Sequence, residues 1–136
     1  MDAKKYLEMI REATEEPNNM SRDWLDFMEA FAYLLNEQIQ AEHDRGINQS
    51  AIYKYGGERQ KKKLFEEMAE LMQAICHTDD GKDDKWHIAE EIADVQIMLE
   101  QMIFLYGIRG EVNRQHELKI KRLNDRVNGG GDERIS

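Results

Sequence analysis

The chain has 136 residues, of which 40% are apolar and 35% charged, with one proline; this supports one domain-sized helical core rather than a sheet. A formal net charge of −9 argues against binding a nucleic-acid polymer or an anionic membrane, although a bound metal ion can still recruit one phosphorylated small molecule. Cys76 is the single cysteine, which excludes an internal disulfide and any cysteine-based zinc cluster; it is expected to pack as a small apolar side chain.

Taken in chain order, residues 2–15 predict a short helix with Tyr6, Leu7 and Ile10 on one side, closed by Glu16-Pro17-Asn18-Asn19. No long apolar run follows Met1-Asp2-Ala3-Lys4-Lys5, so no signal peptide is read there. No segment reaches the roughly 18 uninterrupted apolar residues of a membrane span, and a cytoplasmic location is expected. Ser21 is a candidate cap for a second helix to about Asp44, whose stripe of Trp24, Met28, Phe31, Leu35 and Ile39 predicts one buried face. Arg45-Gly46 is expected to break it, and Gly56-Gly57 is the clearest punctuation before the next element. A third helix is predicted over about 58–77, with Leu64, Met68, Leu71 and Ile75 inside. After a polar loop from His77 to Asp84, where either His77 or His87 could cap a helix end, a fourth helix spans about 85–106. Its inner residues are Ile88, Ile92, Val95, Leu99, Met102 and Tyr106, and its second half is apolar nearly all round. Trp24 and Trp86 read as core or interface residues. Gly107 to Gly110 turns the chain into a charged last helix over 111–128, and a tail from Gly129 is expected to be disordered. The resulting organisation is all-α, with an N-terminal helical extension over 1–45, a helical core over 46–128 and a tail over 129–136.

The third and fourth helices carry a repeat. Glu66-Glu67-Met68-Ala69-Glu70-Leu71 returns 24 positions later as Glu90-Glu91-Ile92-Ala93-Asp94-Val95. On a wheel at about 100° per residue, Glu67 lies about 70° from the centre of the apolar stripe and Glu70 about 60° further out. Glu91 and Asp94 repeat those offsets, whereas Glu66 and Glu90 point away. Two such helices, antiparallel and in contact, converge Glu67, Glu70, Glu91 and Asp94 on one space. Crowded carboxylates stay ionised at neutral pH when a cation joins them, and oxygen-only ligation favours Mg2+, with Mn2+ an alternative, over zinc. Neither Glu67 nor Glu70 has a lysine four residues on, those positions being Leu71 and Ala74. No Glu-x-x-His unit of the kind used by di-iron bundles is formed. Glutamates at this spacing are also common on solvated faces, and Lys61-Lys62-Lys63 reads as solvated.

The pattern Glu66-Glu67-Met68-Ala69-Glu70, a spacer, then Glu91-Ile92-Ala93-Asp94 resembles the signature of the MazG-like, all-α nucleoside triphosphate pyrophosphohydrolases. Tyr55-Gly56-Gly57-Glu58-Arg59-Gln60 before it and Ile97-Met98-Leu99-Glu100-Gln101 after it are similar to the short, often phage-encoded members. The resemblance covers about residues 48–127. It implies a helical bundle that cleaves a (d)NTP between the α and β phosphates to a monophosphate and pyrophosphate, for control of the nucleotide pool. It also implies Mg2+ held by Glu67, Glu70, Glu91 and Asp94, and a homodimer or homotetramer in which a neighbouring subunit completes each site. Glu66 is the candidate base for the attacking water, or a ligand to an additional metal. Gln60 is a candidate nucleotide contact, with a surface glutamine as the plainer reading. Lys119, Arg122 and Arg126, on one face of the last helix, are candidates for binding phosphate. Two other readings stand beside this one: a phosphoribosyl-ATP pyrophosphohydrolase, and a catalytically inactive helical module that binds a nucleotide or a partner protein.

Overall fold

The computed structural model describes Glu8, residues 22–79 and residues 84–129. Among these residues the regular structure is all α-helical: α1 (Arg22–Tyr55), α2 (Gly57–Asp79), α3 (Lys85–Tyr106) and α4 (Arg109–Asn128). Apart from Glu8, the expected helix over 2–15 lies outside the described residues, as do its terminator, the Ser21 cap, loop residues 80–83 and the tail beyond Gly129. The chain divides into two units, Met1–Asp44 and Arg45–Ser136, with the division inside α1. None of the described helices is long and apolar enough to cross a membrane.

The predicted break at Arg45-Gly46 does not occur, because α1 continues to Tyr55. One interior glycine costs only about 1 kcal/mol relative to alanine, and the turns beyond it are held by tertiary contacts, Asn48 accepting from Gln101 and Ile52 being buried. Side-chain bonds one turn apart line the same stretch: Gln38 Nε2 donates to Glu42 Oε1 (3.2 Å), Gln40 Nε2 to Asp44 Oδ1 (2.8 Å), and Ser50 Oγ to the Gly46 carbonyl (2.9 Å). Punctuation falls at Gly56, whose φ of +86° is the left-handed region that glycine enters without steric cost. Its N–H donates to the Ile52 carbonyl at 2.9 Å and its carbonyl accepts from Gln60 N at 3.2 Å, so α2 starts at once.

The bounds of α3 match the expectation. Asp84 caps its start by accepting the backbone N–H of His87 at 2.9 Å, so the cap is an aspartate and neither His77 nor His87 supplies it. Gly107, at φ +63°, ends α3: its N–H reaches the Phe104 carbonyl, and that of Ile108 the Ile103 carbonyl, each at 3.1 Å. The turn is tighter than expected. Helix α4 begins at Arg109, whose guanidinium makes a two-pronged pair with the Glu100 carboxylate across the turn, Nη1 to Oε1 at 3.2 Å.

In the first unit, Phe27 is buried and stacks on Phe31 with ring centroids 6.2 Å apart. The stripe expected to be buried is instead exposed at Met28, Phe31, Leu35 and Ile39, and the Trp24 side chain lies outside the described residues. In the second unit, α2 and α3 form the main helix pair. Gln60 meets Gln101, and Glu67 and Glu70 meet Glu91, so the two helices are antiparallel. The seam on α2 runs through Gln60, Leu64, Glu67, Leu71, Ala74 and Thr78, all buried or half-buried. On α3 it runs through Ile88, Glu91, Val95, Met98, Met102 and Leu105. Both alternate steps of three and four, the spacing of helices packed nearly in line.

That seam is rotated from the expected one by roughly 50° on both α2 and α3. Glu67 and Glu91 therefore sit in the contact rather than at its border. The rotation leaves Met68, Met72, Ile75, Ile92, Leu99, Tyr106 and Trp86 exposed, and Cys76 is exposed too rather than packed. Trp86 is not a core residue of the chain. On the other flank of α3, the C-terminal part of α1 adds buried Ile52 and Asn48, and Tyr53 meets Phe104 edge-on at 5.8 Å. Helix α4 contributes little burial, with every residue from Asn113 to Gly129 exposed.

Candidate metal centre

Two helical facts build the site. Glu67 lies seven residues after Gln60 and Asp94 seven before Gln101, so the Gln60–Gln101 contact sets the acids of the two helices opposite one another. Glu67, Glu70 and Glu91 then converge: one oxygen from each lies within 4.8 Å of the others. Glu67 and Glu91 are buried, at 5% and 6% exposure, while Glu70 is exposed at the mouth. Asp94, one turn along from Glu91, is half-buried and lies outside that group of three. Glu66 and Glu90 are exposed on the outer sides of their helices, as the wheel predicts.

Buried carboxylates this close repel. At an effective dielectric near 20, two unit charges about 5 Å apart interact by about 3 kcal/mol, which applies to the buried Glu67 and Glu91 pair. The exposed Glu70 registers the same field: the charge of Glu67 holds its pKa above the ordinary value of 4.5, assisted by desolvation and by the charge of Glu91, with Lys63 opposing. Part of the repulsion is compensated internally. Lys63 Nζ lies 2.5 Å from Glu67 Oε1 and 3.7 Å from Glu66 Oε2. Lys63 is thus an ion-pair partner as well as an exposed lysine, and its pKa is raised by the hydrogen bond to Glu67. The missing lysine four residues after Glu67 is supplied four residues before it. Lys61, in the same basic run, pairs with Glu58 at 2.9 Å.

Compensation at Glu91 is incomplete. His87 Nδ1 lies 3.4 Å from its Oε1, but Oε2 is buried with no hydrogen-bond partner. A buried acceptor left unmade costs about 1–3 kcal/mol, and more when charged. The cluster thus presents an uncompensated oxygen, an all-carboxylate donor set and excess negative charge, which fits a hard divalent cation and not a thiolate- or imidazole-preferring ion.

Gln60 is buried rather than at the surface. Its Nε2 donates to Gln101 Oε1 at 2.6 Å, and Gln101 Nε2 donates to Asn48 Oδ1 at 3.2 Å, so three buried amides form one chain across α2, α3 and α1. Gln101 had a legible signal, since it repeats the heptad position of the acids; Asn48 had none. Lys119, Arg122 and Arg126 are exposed on α4 and line one groove of about 670 Å³ with His116, Ile120 and Leu123. None of the three pairs with a cluster carboxylate among the described residues, so one chain does not bring the basic and acidic candidates together.

Fold and site together define an all-α protein with an acidic cluster able to hold a cation. No protein-family model, curated protein or solved structure matches the chain.

Proposed function

We propose that this chain is a Mg2+-dependent nucleoside triphosphate pyrophosphohydrolase of the MazG-like type, with Mn2+ as a substitute ion, that cleaves a (d)NTP to its monophosphate and pyrophosphate. The supporting observation is the convergence of Glu67, Glu70 and Glu91 around the unpartnered Glu91 oxygen, on the helices whose sequences carry the repeated acidic motif. These three hold the ion, and Asp94 joins them by a rotamer change from its half-buried position one turn away. Bound Mg2+ supplies charge neutralisation for the triphosphate and a water of lowered pKa.

The chain's own residues do the rest. Glu66, exposed beside the cluster, accepts the proton of the attacking water. Lys119, Arg122 and Arg126 neutralise phosphate charge outside the ion's reach. Because α4 carries them away from the acids of its own chain, they act on a neighbouring subunit's site in a homodimer or homotetramer. The exposed apolar faces of α2, α3 and α4 support that assembly: Met68, Met72, Ile75, Ile92, Leu99 and Leu123 are each at least 41% exposed.

Glu67→Gln and Asp94→Asn test the assignment. Each is expected to lower Mg2+-dependent pyrophosphate release by more than about 100-fold, since even loss of a residue supporting a ligand costs 10–100-fold, with helicity by circular dichroism unchanged. Undiminished release in Glu67→Gln removes the site from this cluster, and undiminished release in Asp94→Asn alone confines it to the three glutamates.

A further inference from the structure

Lys63 stands at an unusual place for a surface lysine. Its ammonium is 2.5 Å from an oxygen of Glu67, one of the two buried acids of the cluster, and 3.7 Å from Glu66, which is exposed. Its own side chain is 48% exposed, whereas that of Glu67 is only 7% exposed. The stem therefore rises from the helix surface and delivers its charge inward, to a carboxylate that a divalent ion would also require. A lysine ammonium is a compact point charge on a flexible four-carbon stem, able to change partners by rotamer alone. Glu66 offers the second partner on the same helix, on the solvent side.

We infer that Lys63 is an internal counter-ion of the cluster: it occupies Glu67 while no divalent ion is bound and transfers to Glu66 when one arrives, so that metal loading is an exchange. This rests on the metal-site reading above and adds a mechanism for tuning it. The exchange keeps the metal-free cluster from carrying the full repulsion of its buried acids. It also weakens the site for Mg2+ by the strength of the pair that must be broken. Glu66 acquires a defined task as the landing point of the ammonium, and on this reading it accepts a proton from the attacking water only once the ammonium has moved off it.

The test is Mg2+ binding by isothermal titration calorimetry at fixed pH and ionic strength, on the wild-type protein, Lys63→Met, Lys63→Arg and Glu66→Gln. Lys63→Met is expected to bind Mg2+ roughly fivefold or more tightly, the competing ion pair having been removed. Lys63→Arg keeps the competitor and is expected to stay close to wild type. Glu66→Gln removes the landing point and is expected to bind more weakly. Circular dichroism on each variant establishes that it is folded. Wild-type binding with no gain in Lys63→Met, or a loss there, overturns the exchange and leaves the metal site standing. No Mg2+ binding by any folded variant overturns the metal site and the exchange together.

Discussion

Glu91→Gln isolates the physical core of this account. Glu91 is buried, faces Glu67 and Glu70 within 4.8 Å, and keeps one oxygen without a partner. Removing the charge relieves the repulsion from Glu67, about 3 kcal/mol at an effective dielectric near 20, of which the Lys63 ammonium on Glu67 already offsets about 1 kcal/mol. The new amide can also donate to a neighbouring carboxylate. Against this stands the lost contact between His87 and Glu91, worth at most about 1 kcal/mol for a group as exposed as His87. The net is a stabilisation of about 1 kcal/mol, or a rise in Tm of roughly 3–4 °C for a domain of this size. The assay is thermal unfolding by circular dichroism in EDTA and again in excess Mg2+. Wild type is expected to gain stability with Mg2+, whereas Glu91→Gln starts higher in EDTA and gains nothing. A variant that is less stable in EDTA yet still responds to Mg2+ would refute the reasoning, because the cluster would then be neither strained nor the binding site.

Three further expectations follow from the same geometry. Glu70 has a folded pKa above its ordinary 4.5, so the metal-free folded chain binds that proton more readily than the unfolded chain does. Its contribution to stability is full below 4.5 and is lost as pH rises through the raised value. Unfolding curves in EDTA should therefore differ between wild type and Glu70→Gln by a term that grows with pH across that window, and Mg2+ affinity should rise over it as the ion displaces the proton; parallel pH profiles for the two proteins contradict this. Gln101→Leu removes the middle of the amide chain and strands buried groups on Gln60 and Asn48, lowering stability by about 1–3 kcal/mol in urea titrations; an unchanged midpoint would mean the amides find other partners. If the proposed oligomer forms through the exposed apolar face of α2, Met72→Glu should reduce it to monomers by light scattering, and a wild-type protein already monomeric at working concentration would count against a shared site.

Much of the architecture was legible because local signals agreed. Helix α3 was bounded by a polar loop and a glycine, and it runs over the expected 85–106. Gly56 stood out as a breaker and takes the left-handed conformation. Gly46 carried the same signal and is helical, since a cost of about 1 kcal/mol is outweighed by the contacts of Asn48 and Ile52 beyond it, which no local window shows. The acids were visible as a repeat, but their burial was not. The apolar residues of α2 and α3 spread over a broad arc, and a periodicity count cannot say which edge of it meets the neighbour. The stripe through Met68 and Ile75 was chosen, while the observed seam takes the face through Glu67 and Ala74. That choice rests on the partner helix and on the Gln60–Gln101 contact, a long-range fact absent from any local window. Lys63 is hidden for a related reason: the cation that pairs with Glu67 stands one turn before it, where the sequence shows only a run of three lysines.

The most direct test of the central claim is product analysis. Purified wild-type protein is incubated with each common NTP and dNTP and with modified analogues, with Mg2+ or Mn2+ and with EDTA, and pyrophosphate and orthophosphate are measured separately. The account predicts metal-dependent release of pyrophosphate and a nucleoside monophosphate from at least one triphosphate, with no orthophosphate as primary product and none of this activity in EDTA. Release of orthophosphate alone, or of nothing from any substrate with either ion, would contradict it.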